Sequence, residues 1–303
     1  MNTRQIAPFI GMGILMVAVQ LLSIFLTPLM LGAGYEAFEN PESAANPIYF
    51  IIILLIFTAV LLWLIKRGKE FAIKAIIGFS ILFIFGYIYS ALFLFAMGNT
   101  LVAWSLTVIA TVISGGLLYA YPEWYVIDIL GVLISGGAAA IFGISLTILP
   151  VIILLILLAV YDAVSVYRTK HMVDLAESVI NMKTPILVVV PKSLNYSYIK
   201  EGIGIKEKKE DRGAYIMGMG DLIMPNILVV SSFAFLTGAP AVFGITLPTL
   251  GAMAGTVIGL AALLWFVSGG KPQAGLPLLN GGAIAGFILL CALTGSWGWI
   301  PGM

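Results

Sequence analysis

Three carboxylates stand inside long apolar stretches of this 303-residue chain: Asp128, Asp162 and Asp221. An ionised side chain at mid-membrane costs at least about 2.5 to 3.5 kcal/mol, so such acids mark functional sites by default. Asp162 lies in Leu158-Ala-Val-Tyr-Asp-Ala-Val164, six residues before Arg168, where its apolar run ends. Asp221 lies in Ala214-Tyr-Ile-Met-Gly-Met-Gly-Asp221, six residues after Tyr215, where the next run begins. At 1.5 Å rise per residue, both acids are expected roughly 9 Å below the same membrane boundary. Antiparallel neighbours at one depth can face each other. Asp128 is shallower, follows the aromatic group Tyr121-Pro-Glu-Trp-Tyr125, and reads as a structural acid at a helix start.

Two carboxyl groups within hydrogen-bonding distance in a partly dry site share one proton and titrate as a pair. The charged member can take a proton from water attacking a peptide carbonyl while the neutral member protonates the carbonyl oxygen. No metal, cofactor or covalent intermediate is required. Because one proton must be retained, activity is expected to peak in mildly acidic to neutral conditions. Other hydrolytic chemistries lack their residues. A zinc protease of the H-E-x-x-H kind needs two histidines on one helix face, and the only histidine is His171, in a polar stretch. A serine–histidine pair fails for the same reason. The single cysteine, Cys291, sits in an apolar run and reads as a small core hydrophobe. The competing reading of intramembrane acids is a proton- or cation-coupled transporter or channel.

Positioning these acids is the task of an all-α polytopic membrane protein. Hydrophobic residues make up 61% of the chain and charged residues 10%, far below the quarter or so usual in soluble domains. Apolar runs long enough to span a bilayer fall at 6–31, 48–65, 72–96, 101–120, 125–146, 149–167, 215–236, 248–267 and 277–297. The first lacks a following small-residue cleavage pattern and is expected to be a retained span. With nine spans and the N-terminus cytoplasmic, all fifteen lysines and arginines fall on the cytoplasmic side, and the C-terminus is external. Glu36, Glu39 and Glu42 fall in the first external loop.

The chain thus divides into a six-span part (1–167), a cytoplasmic loop (168–213) and a three-span part (214–303). Within the loop, Thr184-Pro-Ile-Leu-Val-Val-Val-Pro191 predicts a short strand, and 206–213 is charged. The repeated Ile113-Ser-Gly-Gly116 and Ile134-Ser-Gly-Gly137 read as close-packing sites on helices. Nothing in the charge pattern supports nucleic-acid binding.

Taken together, Tyr161-Asp162, Gly218-Met219-Gly220-Asp221 and Leu276-Pro277-Leu278-Leu279 resemble the presenilin and signal peptide peptidase family of intramembrane aspartyl proteases. The resemblance covers essentially the whole chain, including the division of nine spans into six and three. It implies an aspartic endopeptidase cleaving transmembrane segments or signal peptides, with Asp162 and Asp221 catalytic. Tyr161, Gly218 and Gly220 match the flanking motif residues. The family's Pro-Ala-Leu motif is matched imperfectly by Pro277, Leu278 and Leu279, with leucine in place of alanine; these residues are expected to shape the cleft and engage substrate backbone. The short loops are similar to those of microbial, archaeal members, which implies a cell-membrane location. Implied partners are transmembrane-helix substrates and the lipid bilayer, with a homo-oligomer left open.

A helical substrate shields its scissile amide with its own hydrogen bonds, so it must be unwound. Unwound backbone in a membrane needs other polar partners. Strand addition supplies them, and Ile186–Val190 and the segment around Pro277 are the candidate partners.

Overall fold

The computed structural model of the chain describes residues 3–43, 45–169, 187–193, 195–201, 213–268 and 273–302. His171 and most of the charged 206–213 stretch lie outside the described residues. Nine long helices run in chain order through the described residues: α1 (Thr3–Ala33), α2 (Asn46–Lys66), α3 (Glu70–Met97), α4 (Leu101–Ala120), α5 (Trp124–Ile144), α6 (Ile148–Val164), α7 (Met219–Phe235), α8 (Leu247–Ser268) and α9 (Leu276–Thr294). Eight are long and apolar enough to cross a membrane, and α7 is a shorter apolar helix of 17 residues. The protein is an integral, multi-pass, α-helical membrane protein.

One expectation needs correcting. The run 215–236 is not helical from its start: residues 214–218 form a strand, and α7 begins only at Met219. At 1.5 Å per residue α7 is about 25 Å long, short of the roughly 30 Å hydrocarbon core. Asp221 is therefore the third residue of its helix, not the seventh, and the matched depth computed for it from a continuous helix does not hold. The cause is pairing: β1 (Leu187–Pro191) and β2 (Ala214–Gly218) form an antiparallel ribbon with Val189 opposite Ile216.

Of the predicted strand, 187–191 is observed, and 184–186 lies outside the described residues. Both strands obey the period of two. Val188, Val190, Tyr215 and Met217 face α1 and α8, packing with Met12, Met16, Leu260 and Leu263. Leu187, Val189, Ala214 and Ile216 face α3 and α5, packing with Ile77, Ile127 and Leu130. Close approach is possible because Gly11 of α1 lies against Val190, where a Cβ would come within 2.9 Å of its Cγ1. The part of the loop seen here is thus built into the helical body rather than suspended beneath it.

The acids around the ribbon act as clamps. Val189 donates its N–H to Asp128 Oδ1 at 2.8 Å, and Asp128 is buried. Glu123, just before α5, accepts from Ser197 Oγ at 2.6 Å and from the Tyr198 N–H at 3.0 Å. Beside it, burial pushes the Tyr196 phenol up to about 12, with smaller contributions from Tyr198, Glu201 and Glu123, so it stays a neutral hydroxyl. Asp128 is accordingly a ribbon holder, as a structural acid should be. Asparagine at 128 keeps the acceptor, and cleavage is expected to stay within about threefold of wild type. Asp128→Leu strands a buried N–H, and a loss of about 1–3 kcal/mol in stability is expected by thermal melting.

The remaining core follows the same logic. A central cluster joins Leu154, Leu155 and Leu158 of α6, Ile227 and Leu228 of α7, and Phe287 of α9. Buried Cys291 belongs to it, as a small hydrophobe. In the repeated glycine pairs, Gly136 lies against Leu22 and Gly137 against Ile88. Each replaces a side chain so that α1 and α3 can close on α5.

Candidate active site

The site forms where α6 ends and where α7 and α9 begin. Asp162 is two residues from the end of α6, and Asp221 is in the first turn of α7. Between them runs the start of α9, entered through Gly275 and with Pro277 as its second residue, where the missing N–H carries no penalty. The Leu276 N–H donates to Asp162 Oδ2 at 3.0 Å. On the adjacent residue, a Cβ built on Gly275 would sit 3.2 Å from Asp221 Oδ1 and 3.4 Å from its Cγ. One dipeptide, Gly275-Leu276, therefore touches both carboxyl groups, and the two acids are near enough to interact electrostatically. Both are half-buried.

Each acid also meets a helix N-terminus, whose first N–H groups lack intrahelical partners. Asp162 faces that of α9. Asp221 sits at the third position of its own helix and lies within reach of the Gly218 amide at the N-cap, so it caps α7 as a carboxylate in a first turn does. These donors orient the carboxyl oxygens before any substrate arrives. Such an arrangement can hold a shared proton and present one ionised and one neutral oxygen to a bound water and an amide.

The other expected residues fall nearby, in differing roles. Gly220 has open space where a side chain would be, beside Asp221, whereas a Cβ on Gly218 would make an ordinary 3.6 Å contact with Asp221 Oδ2. Tyr161 is half-buried next to Asp162. Leu279 is fully buried in the cluster shared by α1, α8 and the ribbon. The Leu278 carbonyl lies against Gly259 of α8. These two leucines thus anchor the start of α9 to its neighbours, and the residues touching the acids are Gly275 and Leu276, one step earlier in the chain.

Sequence reasoning held Gly275 and Leu276 only as part of the cleft-lining segment around Pro277, with no role of their own, and did not single out Tyr167 or Glu123. For the first two the signal was present as a glycine two residues before a proline that opens a helix. Among the described residues, no group of three or more His, Cys, Asp or Glu is arranged to hold a metal.

A polytopic helical body that brings two carboxyl groups onto one backbone segment has the groups a membrane-embedded acid–base hydrolase would need. The comparisons with known proteins make the class specific. Residues 12–295 match the family model described as signal-peptide peptidase, presenilin aspartyl protease. A solved presenilin family intramembrane aspartate protease, in a C222 crystal form, is 49% identical, with a TM-score of 0.72 over 95% of this chain and 100% of that one. A second structure of such a protease, in a P2 form, is 48% identical, with a TM-score of 0.69 over 94% of this chain and 97% of that one. No match was found among curated proteins. The chain belongs to the signal-peptide peptidase and presenilin family, and it is an intramembrane aspartic endopeptidase acting on transmembrane substrates.

Proposed function

We propose that Asp162 and Asp221 are the reacting pair of this protease, a reading carried by the contact of both with Gly275-Leu276. One aspartate, ionised, draws a proton from water as the oxygen attacks the scissile carbonyl. The other, neutral, protonates the carbonyl oxygen, giving a gem-diol. Return of the protons expels the amine. Both acids and the segment between them come from one chain, so the chemistry needs no second copy. The positive-inside distribution of lysine and arginine favours a cytoplasmic N-terminus, with 1–167, 168–213 and 214–303 as six-span part, cytoplasmic loop and three-span part. Water then reaches the pair from the cytoplasmic side.

Substrate backbone, once unwound, is best received by β2 rather than β1. The Lys192 N–H bonds to the Gly213 carbonyl at 2.9 Å, which fixes the ladder: Val190 with Tyr215 and Val188 with Met217 exchange hydrogen bonds, while Val189 and Ile216 point theirs away from each other. The outward N–H of Val189 is taken by Asp128. On the opposite edge, the N–H and C=O of Ile216 point away from the ribbon, two residues before Gly218 and five before Asp221 in the chain. The described part of the earlier candidate, 187–190, thus has β2 along one edge and Asp128 at the Val189 N–H on the other, and 214–218 offers its outer edge. The open face of Gly220 leaves room for a strand passing toward the acids.

Proline is tolerated on an edge strand where its missing N–H faces outward. Ile216→Pro is therefore expected to keep the ribbon while lowering kcat/KM by about tenfold, the loss of about one net hydrogen bond to substrate. An unchanged kcat/KM would remove β2 as the receiving edge. The function itself is tested by incubating purified protein with a type II membrane peptide. A transition-state analogue bearing a hydroxyl at the scissile position should block cleavage, and product masses should place the cut within the apolar segment.

A further inference from the structure

The dipeptide that touches both acids is itself held from behind. Beyond Asp162, α6 loosens into a π-helical turn, Ser165–Thr169. A π-turn rotates the chain less per residue than an α-helix, so Tyr167, five residues after Asp162, swings back toward the side on which Asp162 lies. From there its hydroxyl donates to Gln273 Oε1 at 2.8 Å and accepts the Ala274 N–H at 3.3 Å. Tyr167 is 55% exposed, so it packs little and holds mainly through these bonds, whereas Ala274 is buried. The segment 273–276 is consequently pinned to α6 at both ends: by Tyr167 at 273–274 and by Asp162 at 276. Its middle residue, Gly275, whose carbonyl accepts the Leu278 and Leu279 N–H groups, is the one against Asp221, with Leu263 of α8 on the same side, 3.4 Å from a Cβ built there.

We propose that Tyr167 is a positioning residue of the acid pair, a latch whose hydroxyl fixes the 273–276 backbone so that the Leu276 N–H stays on Asp162 and the bare Gly275 stays against Asp221. The proposal rests on Asp162 and Asp221 being the reacting pair. Tyr167 contributes no proton to the reaction. It sets the distance between the acids through main chain, and a shift of about 1 Å at a reacting centre is enough to slow chemistry about a hundredfold.

The test uses the full-length protein and the type II membrane peptide. Tyr167→Phe keeps the ring and removes both hydrogen bonds; kcat is expected to fall about five- to tenfold, with KM within about twofold and an unchanged melting temperature. Affinity for the hydroxyl analogue should fall by the same factor as kcat/KM. Gln273→Leu removes one of the two bonds and should give a smaller fall, and the double variant should be no slower than Tyr167→Phe alone. Should Tyr167→Phe fail to fold, Gln273→Leu carries the test through its own kcat. Gly275→Val, which forces a branched side chain onto Asp221, is expected to lower kcat more than about a hundredfold. A wild-type kcat in Tyr167→Phe, an effect confined to KM, or additive effects in the double variant would overturn the latch. Failure of the underlying reading looks different: Asp162→Asn or Asp221→Asn would then stay active whatever Tyr167→Phe does.

Discussion

Asp162→Asn and Asp221→Asn are each expected to reduce cleavage of a transmembrane peptide by at least about 10³-fold, because each removes a proton donor or acceptor that the reaction cannot replace. Asparagine is the sharp substitution here for a geometric reason. Its Oδ1 can still accept the Leu276 N–H at position 162, and at position 221 it still caps the first turn of α7. Folding and the position of α9 should survive, so a melting temperature close to wild type should accompany the lost activity. Alanine at 162 is less informative: it frees the 275–276 backbone as well as removing the acid. In the wild-type enzyme the rate should be bell-shaped in pH. Protonating both acids removes the base, and ionising both removes the acid. A variant with asparagine at either position that still cleaves at the wild-type rate would sink the assignment of the pair.

What the sequence revealed, and what it hid, follows from the range over which each signal acts. Helix ends agree with apolar runs within three residues at every boundary but one, because burial in lipid demands an unbroken apolar stretch. The exception, the start of α7, is where a long-range partner decided the matter. Ala214–Gly218 is as apolar as a helix start, and only β1, whose paired residues lie 23 or more positions upstream, makes it a strand. The acids themselves were legible, since a carboxylate in an apolar run is conspicuous at any position. The contacts that aim them were not. Gly275 and Leu276 act through an absent side chain and a main-chain N–H; a glycine before a helix-opening proline marks the segment but not the acids it touches. Glu123 was visible as a letter, but its partners Ser197 and Tyr198 lie more than seventy residues away.

Filling one of the glycines between α8 and α9 is expected to damage the fold and the chemistry together. Gly251, Gly255 and Gly259 recur every four residues on α8, and a Cβ at each would collide with backbone of α9: the carbonyls of Gly286, Gly282 and Leu278 in turn. The reverse also holds, with Gly282 and Gly286 against the carbonyls of Gly255 and Gly251. This is a three-rung small-residue interface of the kind that brings helices together in lipid, where packing rather than hydrophobicity drives association. Unlike Gly136 and Gly137, which face side chains able to rotate away, these glycines face main chain that cannot. The lowest rung carries the consequence for chemistry, because Leu278 is only two residues from Leu276 and its hydrogen bond to Asp162. Pushing α9 off α8 therefore shifts the segment lying between the acids. Gly255→Val should destabilise the protein by about 1–3 kcal/mol or more and lower kcat at least about tenfold, since misplacement far from the reacting atoms suffices. Gly281→Ala, on the partner helix α9 but facing open space, should leave both the melting temperature and kcat unchanged. Equal behaviour of the two variants would mean that the α8–α9 contact does not set the position of the acids.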